Sequence, residues 1–170
     1  MRLCDTIVTP GWLNALASLA KMTGNIGLVG PMSNYAAPPQ LVESVPYRSG
    51  RKRVARGEGR GAREPAIDIE EVANFAMKFH EEHSGKWMEV ERLGGFCLLI
   101  KRAVYKVLEQ RGELEKCTDL SFFDTDILSV KARQAGYGLA LCRDLFIHHF
   151  GTRIFSHGAT EDVVAGSTVH

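Results

Sequence analysis

The segment from residue 5 to residue 31, DTIVTPGWLNALASLAKMTGNIGLVGP, constrains the fold more than any other, because strand-like and helix-like patterns alternate within it. A β-branched run is followed by Thr9 and Pro10, which are typical of a helix N-cap and a first helical position. Apolar residues then recur at helical spacing, namely Leu13, Leu16, Leu19 and Ala20. After a helix stop at Gly24, the apolar run Ile26 to Pro31 predicts a buried strand. Strand, helix and strand in succession predict an α/β sheet.

The middle of the chain continues this alternation. A helix is predicted from Ile69 to Glu82, where apolar residues share one face. The pair Gly94 and Gly95 then breaks regular structure before a strongly apolar strand, which is predicted at Phe96 to Ile100. A further helix is predicted from about Arg102 to Gln110.

Two more segments complete the regular part of the sequence. FFDTDILSVKARQAGY, residues 122–137, predicts a loop and then a helix that ends at Gly136. The following YGLALCRDLFIHHFG predicts two short strands with a turn at Arg143-Asp144, ending on His148-His149. Little periodicity remains after Gly151, so a loose tail is expected.

Length, charge and cysteine usage are those of an ordinary cytoplasmic domain. A chain of 170 residues buries a sufficient core as one domain, and its formal net charge of +1 points to no particular partner. The four cysteines form no C-x-x-C pair, so we expect no zinc site and a reducing cytoplasm. No apolar run approaches the ~20 residues of a transmembrane helix, and peripheral docking on the inner membrane stays open.

Seven Arg or Lys residues and four glycines lie between Arg48 and Arg63. The stretch has no apolar face, so it predicts a mobile basic surface loop at about 47–65. Its arginines suit the phosphates of RNA, DNA or anionic lipid, which makes a non-catalytic binding module the alternative function. No aromatic residue is interleaved to stack on bases, and this disfavours a nucleic-acid partner.

Two carboxylates, Asp124 and Asp126, directly follow an aromatic pair and precede a predicted helix. One interpretation is structural, because a carboxylate in the first turn of a helix is stabilised by about 0.3–1 kcal/mol. The other is catalytic: one carboxylate accepts a proton from a sugar hydroxyl, while Phe122 and Phe123 exclude water and raise its basicity. The spacing alone leaves both interpretations open.

Asp5 and the pair His148 and His149 are candidate ligands of a divalent cation. In α/β sheets a carboxylate at a strand end commonly lies at the ligand-binding edge, although a turn residue is the simpler reading of Asp5. Adjacent side chains on a strand point to opposite faces, so at most one of the two histidines faces a site. Carboxylate and imidazole both bind manganese, and a bound metal neutralises a diphosphate leaving group.

Five segments together resemble family 2 glycosyltransferases: CDTIVTPGWLNALA, IGLVGPMSNY, VERLGGFCLLIKRAVY, FFDTDILSVKARQAGY and DLFIHHFGTRIF. The resemblance covers most of Cys4 to Phe155 and is to the second half of the family's GT-A domain. It implies a partial GT-A fold, a Rossmann-like mixed α/β sheet with flanking helices, over residues 1–155, followed by a loose tail at 156–170. The first half of such a domain binds the nucleotide, so we expect a fragment, a sequence with a mis-called start, or a piece whose partner is a separate N-terminal half.

The resemblance also implies a reaction. A sugar passes with inversion from a UDP-, GDP- or dTDP-sugar to a saccharide or protein acceptor, with Mn²⁺ or Mg²⁺ as the cofactor. Asp5 matches the last acid of the family's metal-binding motif, whose other polar positions are replaced by Leu3 and Cys4. His149 matches the family's C-terminal metal-binding histidine, and His148 is the neighbouring candidate.

The base and the acceptor side follow from the same resemblance. FFDTD matches the place of the catalytic base, so Asp124 or Asp126 is expected in that role. GGFCLLIKR resembles the segment on the acceptor side, with two glycines that allow close backbone approach. The residues expected to line the acceptor site are Trp12, Gly94, Gly95 and Phe123.

Overall fold

The computed structural model describes residues 5–22, 24–48, 67–112 and 125–151, and only the backbone of Thr125 and Asp126. The helices are Trp12–Met22 (α1), Ile69–His83 (α2), Arg102–Gln110 (α3) and Thr125–Gln134 (α4). The strands are Thr6–Ile7 (β1), Ile26–Met32 (β2), Trp87–Val90 (β3), Leu99–Ile100 (β4), Gly138–Phe146 (β5) and His148–His149 (β6). The predicted α/β class is therefore confirmed. Within the described part, no helix has the length and apolar character needed to cross a bilayer.

A four-stranded mixed sheet with the strand order β3-β5-β2-β4 forms the centre of the fold. β2 and β5 are parallel neighbours, whereas β3 and β4 pair antiparallel at the two edges. The carboxyl ends of β2 and β5 meet, because Met32 is aligned with Phe146 and accepts a hydrogen bond from the Ile147 amide at 3.0 Å. β1 and β6 form a separate antiparallel ribbon that follows this edge. This is the edge where α/β sheets bind ligands.

Apolar side chains fill both faces of the sheet. Because neighbouring side chains of a strand point to opposite faces, Leu28 packs among side chains of α2, α3 and α4, whereas Val29 packs among those of α1. Both residues are fully buried, and burial of such a side chain stabilises the fold by about 1.5–3 kcal/mol. Helices on both faces hold the central strands in place, and with them the edge described above.

The predicted turn at Arg143-Asp144 is wrong, because β5 continues without a break through these residues. Cys142 is aligned with Trp87 of β3 on one side and with Pro31 of β2 on the other. The Arg143 amide then donates to the Lys86 carbonyl at 3.0 Å. The register of β5 against β2 shifts between Cys142 and Phe146, and the polar pair lies in this irregular part of the strand without ending it.

Thr9 has a different role from the predicted N-cap. Its hydroxyl donates to the Phe146 carbonyl at 3.3 Å, while its own carbonyl accepts from the Trp12 amide at 3.2 Å. The side chain is buried against the end of β5, and this explains why it bonds across the fold and not along the helix. The start of α1 is thereby tied to the edge where β5 ends.

Candidate functional site

The β1–β6 ribbon brings Asp5 and His149 into contact. Thr6 is the partner of His149 in the ribbon, and the Phe150 amide donates to the Asp5 carbonyl at 2.9 Å. The Asp5 Oδ2 atom lies 2.9 Å from His149 Nε2. The two residues are 144 positions apart in the chain, so their contact is produced by the fold.

This pair lies at the carboxyl edge of the parallel strands and remains open to solvent. His149 follows the end of β5, and Tyr35 follows the end of β2. The Tyr35 carbonyl lies 2.8 Å from His149 Nδ1, which joins the two strand ends. The side chain of Asp5 is 30% exposed and that of His149 is 15% exposed, so a ligand can reach both.

Two aromatic rings fix the orientation of the His149 imidazole. The Phe96 ring lies nearly parallel to it, with centroids 5.1 Å apart and an interplanar angle of 16°. The Tyr35 ring is tilted by 59° at a centroid distance of 5.3 Å. Such offset and tilted contacts are the favourable geometries of aromatic pairs, and they limit rotation of the imidazole.

The hydrogen bonds of His149 allow two states of the pair. Both ring nitrogens face oxygen atoms, Nδ1 the Tyr35 carbonyl and Nε2 the Asp5 carboxylate. A neutral imidazole has one N–H and satisfies one of these acceptors, whereas an imidazolium donates to both. The alternative is a neutral ring that donates from Nδ1 and shares a cation with Asp5 through the lone pair on Nε2. In both states Nδ1 carries a proton, because a proton on Nε2 alone would leave the Nδ1 lone pair facing the Tyr35 carbonyl oxygen.

The distance between the two side chains fits a divalent cation. Adjacent ligands of an octahedral ion, with bonds of about 2.1 Å, lie about 3 Å from each other. The separation of Asp5 Oδ2 and His149 Nε2 is 2.9 Å. Among the residues described, no three His, Cys, Asp or Glu side chains converge on one point. The pair would therefore supply two ligands and leave the others to water and phosphate oxygens, as is common for Mg²⁺.

Asn34 holds the backbone of His149. Its Oδ1 accepts from the His149 amide at 2.9 Å, and its Nδ2 donates to the His149 carbonyl at 3.1 Å. Asn34 is buried at 9% exposure, so these bonds form in a protected environment. The side-chain amide of Asn34 thus makes the two backbone hydrogen bonds that a neighbouring strand would otherwise make with His149 of β6.

His148, the second candidate ligand, belongs to the core. It is fully buried, and its Nδ1 lies 2.9 Å from the Tyr47 hydroxyl. Burial raises the pKa of the Tyr47 hydroxyl, which stays protonated beside His148. Of the two adjacent histidines, His149 is the one in contact with Asp5, in agreement with the alternation of side chains along a strand.

The segment with Gly94, Gly95 and Phe96 is held from two sides. Gln40 accepts a hydrogen bond from the Gly94 amide and donates from Nε2 to the Pro31 carbonyl at 2.9 Å. The Leu93 amide donates to the hydroxyl of Ser129 on α4 at 3.3 Å. These bonds place Phe96 against His149.

Close packing in this segment depends on Gly30 of β2 and not on Gly94. A Cβ atom at Gly94 would make ordinary contacts, the nearest at 3.4 Å. A Cβ atom at Gly30 would lie 3.0 Å from Leu93 and 3.1 Å from Gln40 Nε2. The absence of a side chain at Gly30 therefore leaves room for Leu93 and Gln40 to pack against β2.

The predicted base lies partly outside the described residues. Asp124 and Phe123 are outside them, and Asp126 is described by its backbone alone, in the first turn of α4. Three residues connect α4 to β5, so the helix runs antiparallel to that strand. Its first turn consequently points toward the edge that carries Asp5 and His149.

Trp12 and the basic loop complete the predicted residues. Trp12 begins α1 and packs, partly buried, against the core on that side of the sheet together with Phe96. Acceptor binding by Trp12 stays a prediction. Of the basic loop predicted at 47–65, only Tyr47 and Arg48 are among the described residues. The description of the chain resumes at Ile67.

Sequence reasoning missed the residues that support the site, namely Asn34, Tyr35, Gln40 and Ser129. Each acts through a hydrogen bond to a distant part of the chain or through its carbonyl, and no periodicity reports such bonds. The available signal was the position of Ser33, Asn34 and Tyr35 directly after the apolar run of β2. Polar residues at the carboxyl end of a buried strand are candidates for a site in any α/β sheet.

Protein-family models, curated proteins and solved structures were compared with the chain. None of them matches it. The functional argument therefore depends on the residues and geometry of the site.

Proposed function

We propose that the chain is part of a glycosyltransferase of the GT-A type that transfers a sugar, with inversion, from a nucleotide-sugar donor to an acceptor hydroxyl. The observation that carries the proposal is the 2.9 Å contact between Asp5 and His149. The family resemblance selects these same two residues, from opposite ends of the sequence, as ligands of one cation. Such a coincidence is not expected if the two residues had unrelated structural roles.

The position of the pair supports the same function. Asp5 and His149 lie where the parallel strands β2 and β5 end, and a nucleotide bound there would approach the edge that α/β sheets use for phosphates. Two protein ligands leave coordination positions for the oxygens of a diphosphate. The arrangement suits a cation that binds together with its nucleotide.

The reaction assigns a role to each group. The acceptor oxygen attacks the anomeric carbon, the bond from that carbon to the diphosphate breaks, and the nucleoside diphosphate leaves. A bound divalent cation supplies positive charge opposite the leaving diphosphate. Asp5 and His149 would hold this cation, and Asp124 or Asp126 would take the proton of the attacking hydroxyl. Phe96, stacked on His149, keeps water from one side of the imidazole.

Calorimetric titration with UDP in the presence of Mn²⁺ tests the cation site. Partners behind the metal ligands already contribute about 10–100-fold to metal affinity, so loss of a ligand should weaken binding by more than about tenfold. We expect this loss in Asp5→Asn and in His149→Gln. Glu91→Gln and His80→Gln are matched controls, because these side chains are 83% and 56% exposed and lie in other ion pairs. Binding that is equal in all five proteins would refute the assignment.

Transfer assays with UDP-, GDP- and dTDP-sugars, carried out on the chain together with the nucleotide-binding first half of the domain, test the base. Asn replacement of Asp124 or Asp126 keeps the size of the side chain and removes its ability to take a proton. One of the two variants should lose transfer and keep its binding of UDP with Mn²⁺. Transfer at the wild-type rate in both single variants would exclude these residues as the base.

A further inference from the structure

The loop directly after β2 carries two residues, Asn34 and Tyr35, that bind His149. Ser33 and Gln40 close this loop, since the Ser33 amide donates to the Gln40 carbonyl at 2.9 Å. The Val42 amide donates back to the Ser33 carbonyl at 2.8 Å. Asn34 and Tyr35 therefore project from a segment that is fixed at both ends.

Asn34 and Tyr35 act on different parts of His149. The Asn34 amide binds the His149 N–H and carbonyl, at 2.9 and 3.1 Å, and so fixes the backbone. The Tyr35 carbonyl binds Nδ1 at 2.8 Å and so fixes the ring. Together they leave the imidazole one orientation, in which Nε2 faces Asp5.

Gly151 completes this support from the other side. Its φ of +74° is a conformation that glycine adopts without strain. A Cβ atom at this position would lie 2.7 Å from the Tyr35 ring, which is too close for any side chain. Residues 149–151 thus fold tightly around Tyr35, and a methyl group at residue 151 would push Tyr35 away.

We propose that Asn34 is a positioning residue of the cation site. It fixes the backbone of His149 so that Nδ1 donates to the Tyr35 carbonyl and the lone pair of Nε2 is available beside the Asp5 carboxylate. The inference rests on the proposed function, because it assumes that Asp5 and His149 bind a cation. Hydrogen-bond partners behind a metal ligand set its tautomer and orientation, and their loss weakens metal binding about 10–100-fold.

Titration with Mn²⁺ alone, followed by the electron paramagnetic resonance signal of the free ion, tests this role. Asn34→Ala should bind Mn²⁺ about 10–100-fold more weakly than the wild type. Asn14→Ala is the matched control, because Asn14 is exposed on α1, and its affinity should be unchanged. Gly151→Ala should weaken Mn²⁺ binding to the same extent as Asn34→Ala, because the added methyl group would displace Tyr35. This variant keeps Asp5, His149 and Asn34 unchanged.

Nitrogen NMR of the His149 ring supplies a readout that lost stability alone would not change. In the folded wild type Nδ1 should carry a proton, whereas in folded Asn34→Ala the proton should exchange between Nδ1 and Nε2. Unchanged Mn²⁺ affinity and an unchanged ring in Asn34→Ala would overturn the positioning role and leave the cation site intact. A wild type that does not bind Mn²⁺, with or without UDP, would overturn both proposals.

Discussion

Replacement of Tyr47 by Phe removes one buried hydroxyl behind the candidate site. The hydroxyl lies 2.9 Å from His148 Nδ1, and both residues belong to the buried core. The substitution keeps the ring, so the edge contacts of residue 47 with Phe75 and Phe146, at centroid distances of 5.7 and 6.5 Å, remain. The change therefore isolates a single hydrogen bond.

The expected cost follows from the buried His148 nitrogen that loses its partner. Removing one partner of a buried hydrogen bond costs about 1–3 kcal/mol. For a chain of 170 residues, each kcal/mol lowers Tm by about 2–4 °C, so Tm should fall by roughly 2–12 °C. Tyr105→Phe is the control, because Tyr105 is 47% exposed and its hydroxyl is not in the core.

The pH dependence of Tyr47→Phe gives a second test with a definite sign. Burial raises the pKa of the Tyr47 hydroxyl above its ordinary value of 10.0. Above about pH 10 the unfolded chain releases this proton and the folded chain keeps it, so stability falls by up to about 1.4 kcal/mol per pH unit. Tyr47→Phe should lose this part of the slope.

Urea unfolding at pH 7 and between pH 10 and 11 measures both effects. Equal stability of Tyr47→Phe and Tyr105→Phe at pH 7 would refute the account of a buried hydroxyl that is hydrogen-bonded to His148. An unchanged slope above pH 10 would show that the Tyr47 proton is released equally by the folded and unfolded chains.

Two other changes test the packing of the sheet and the state of its cysteines. Gly27→Ala should destabilise the fold by about 1–3 kcal/mol in urea unfolding, because the added Cβ would lie 2.5 Å from Val104. Gly24→Ala is the control, because its Cβ would meet nothing within 4 Å. Equal stabilities of the two variants would contradict the packing. Cys142 should resist iodoacetamide in the folded protein, because burial raises the pKa of its thiol. The partly exposed Cys97 should react before Cys142, as mass spectrometry would show. Earlier alkylation of Cys142 would contradict its burial.

Local patterns predicted the helices and β2 well. The helix predicted from Arg102 to Gln110 is α3, and the apolar run at Ile26 is β2. Helical spacing and start signals act within a few residues, so the sequence reports them directly. The alternation rule also limited the site to one of two adjacent histidines, and the structure places His149 beside Asp5.

Features that depend on distant partners were not predicted. β5 runs through Arg143 and Asp144 because the residues before and after this pair are aligned with β2, Cys142 with Pro31 and Phe146 with Met32, and a local turn signal does not contain that information. The strand predicted from Phe96 forms only at Leu99–Ile100, at an edge of the sheet with one described neighbour. Asn34 escaped notice for the same reason, since its partner His149 is 115 residues away.

Paramagnetic broadening by Mn²⁺ tests the central claim most directly. Substoichiometric Mn²⁺ added with UDP to isotope-labelled protein broadens the signals of nuclei close to the bound ion. The account predicts that the signals of Thr6, Tyr35 and His149, at the carboxyl edge of β2 and β5, broaden first. The signals of Asn25 and Gly138, at the opposite edge, should stay sharp. Broadening centred on Asn25 and Gly138, or no selective broadening at all, would contradict a cation site formed by Asp5 and His149.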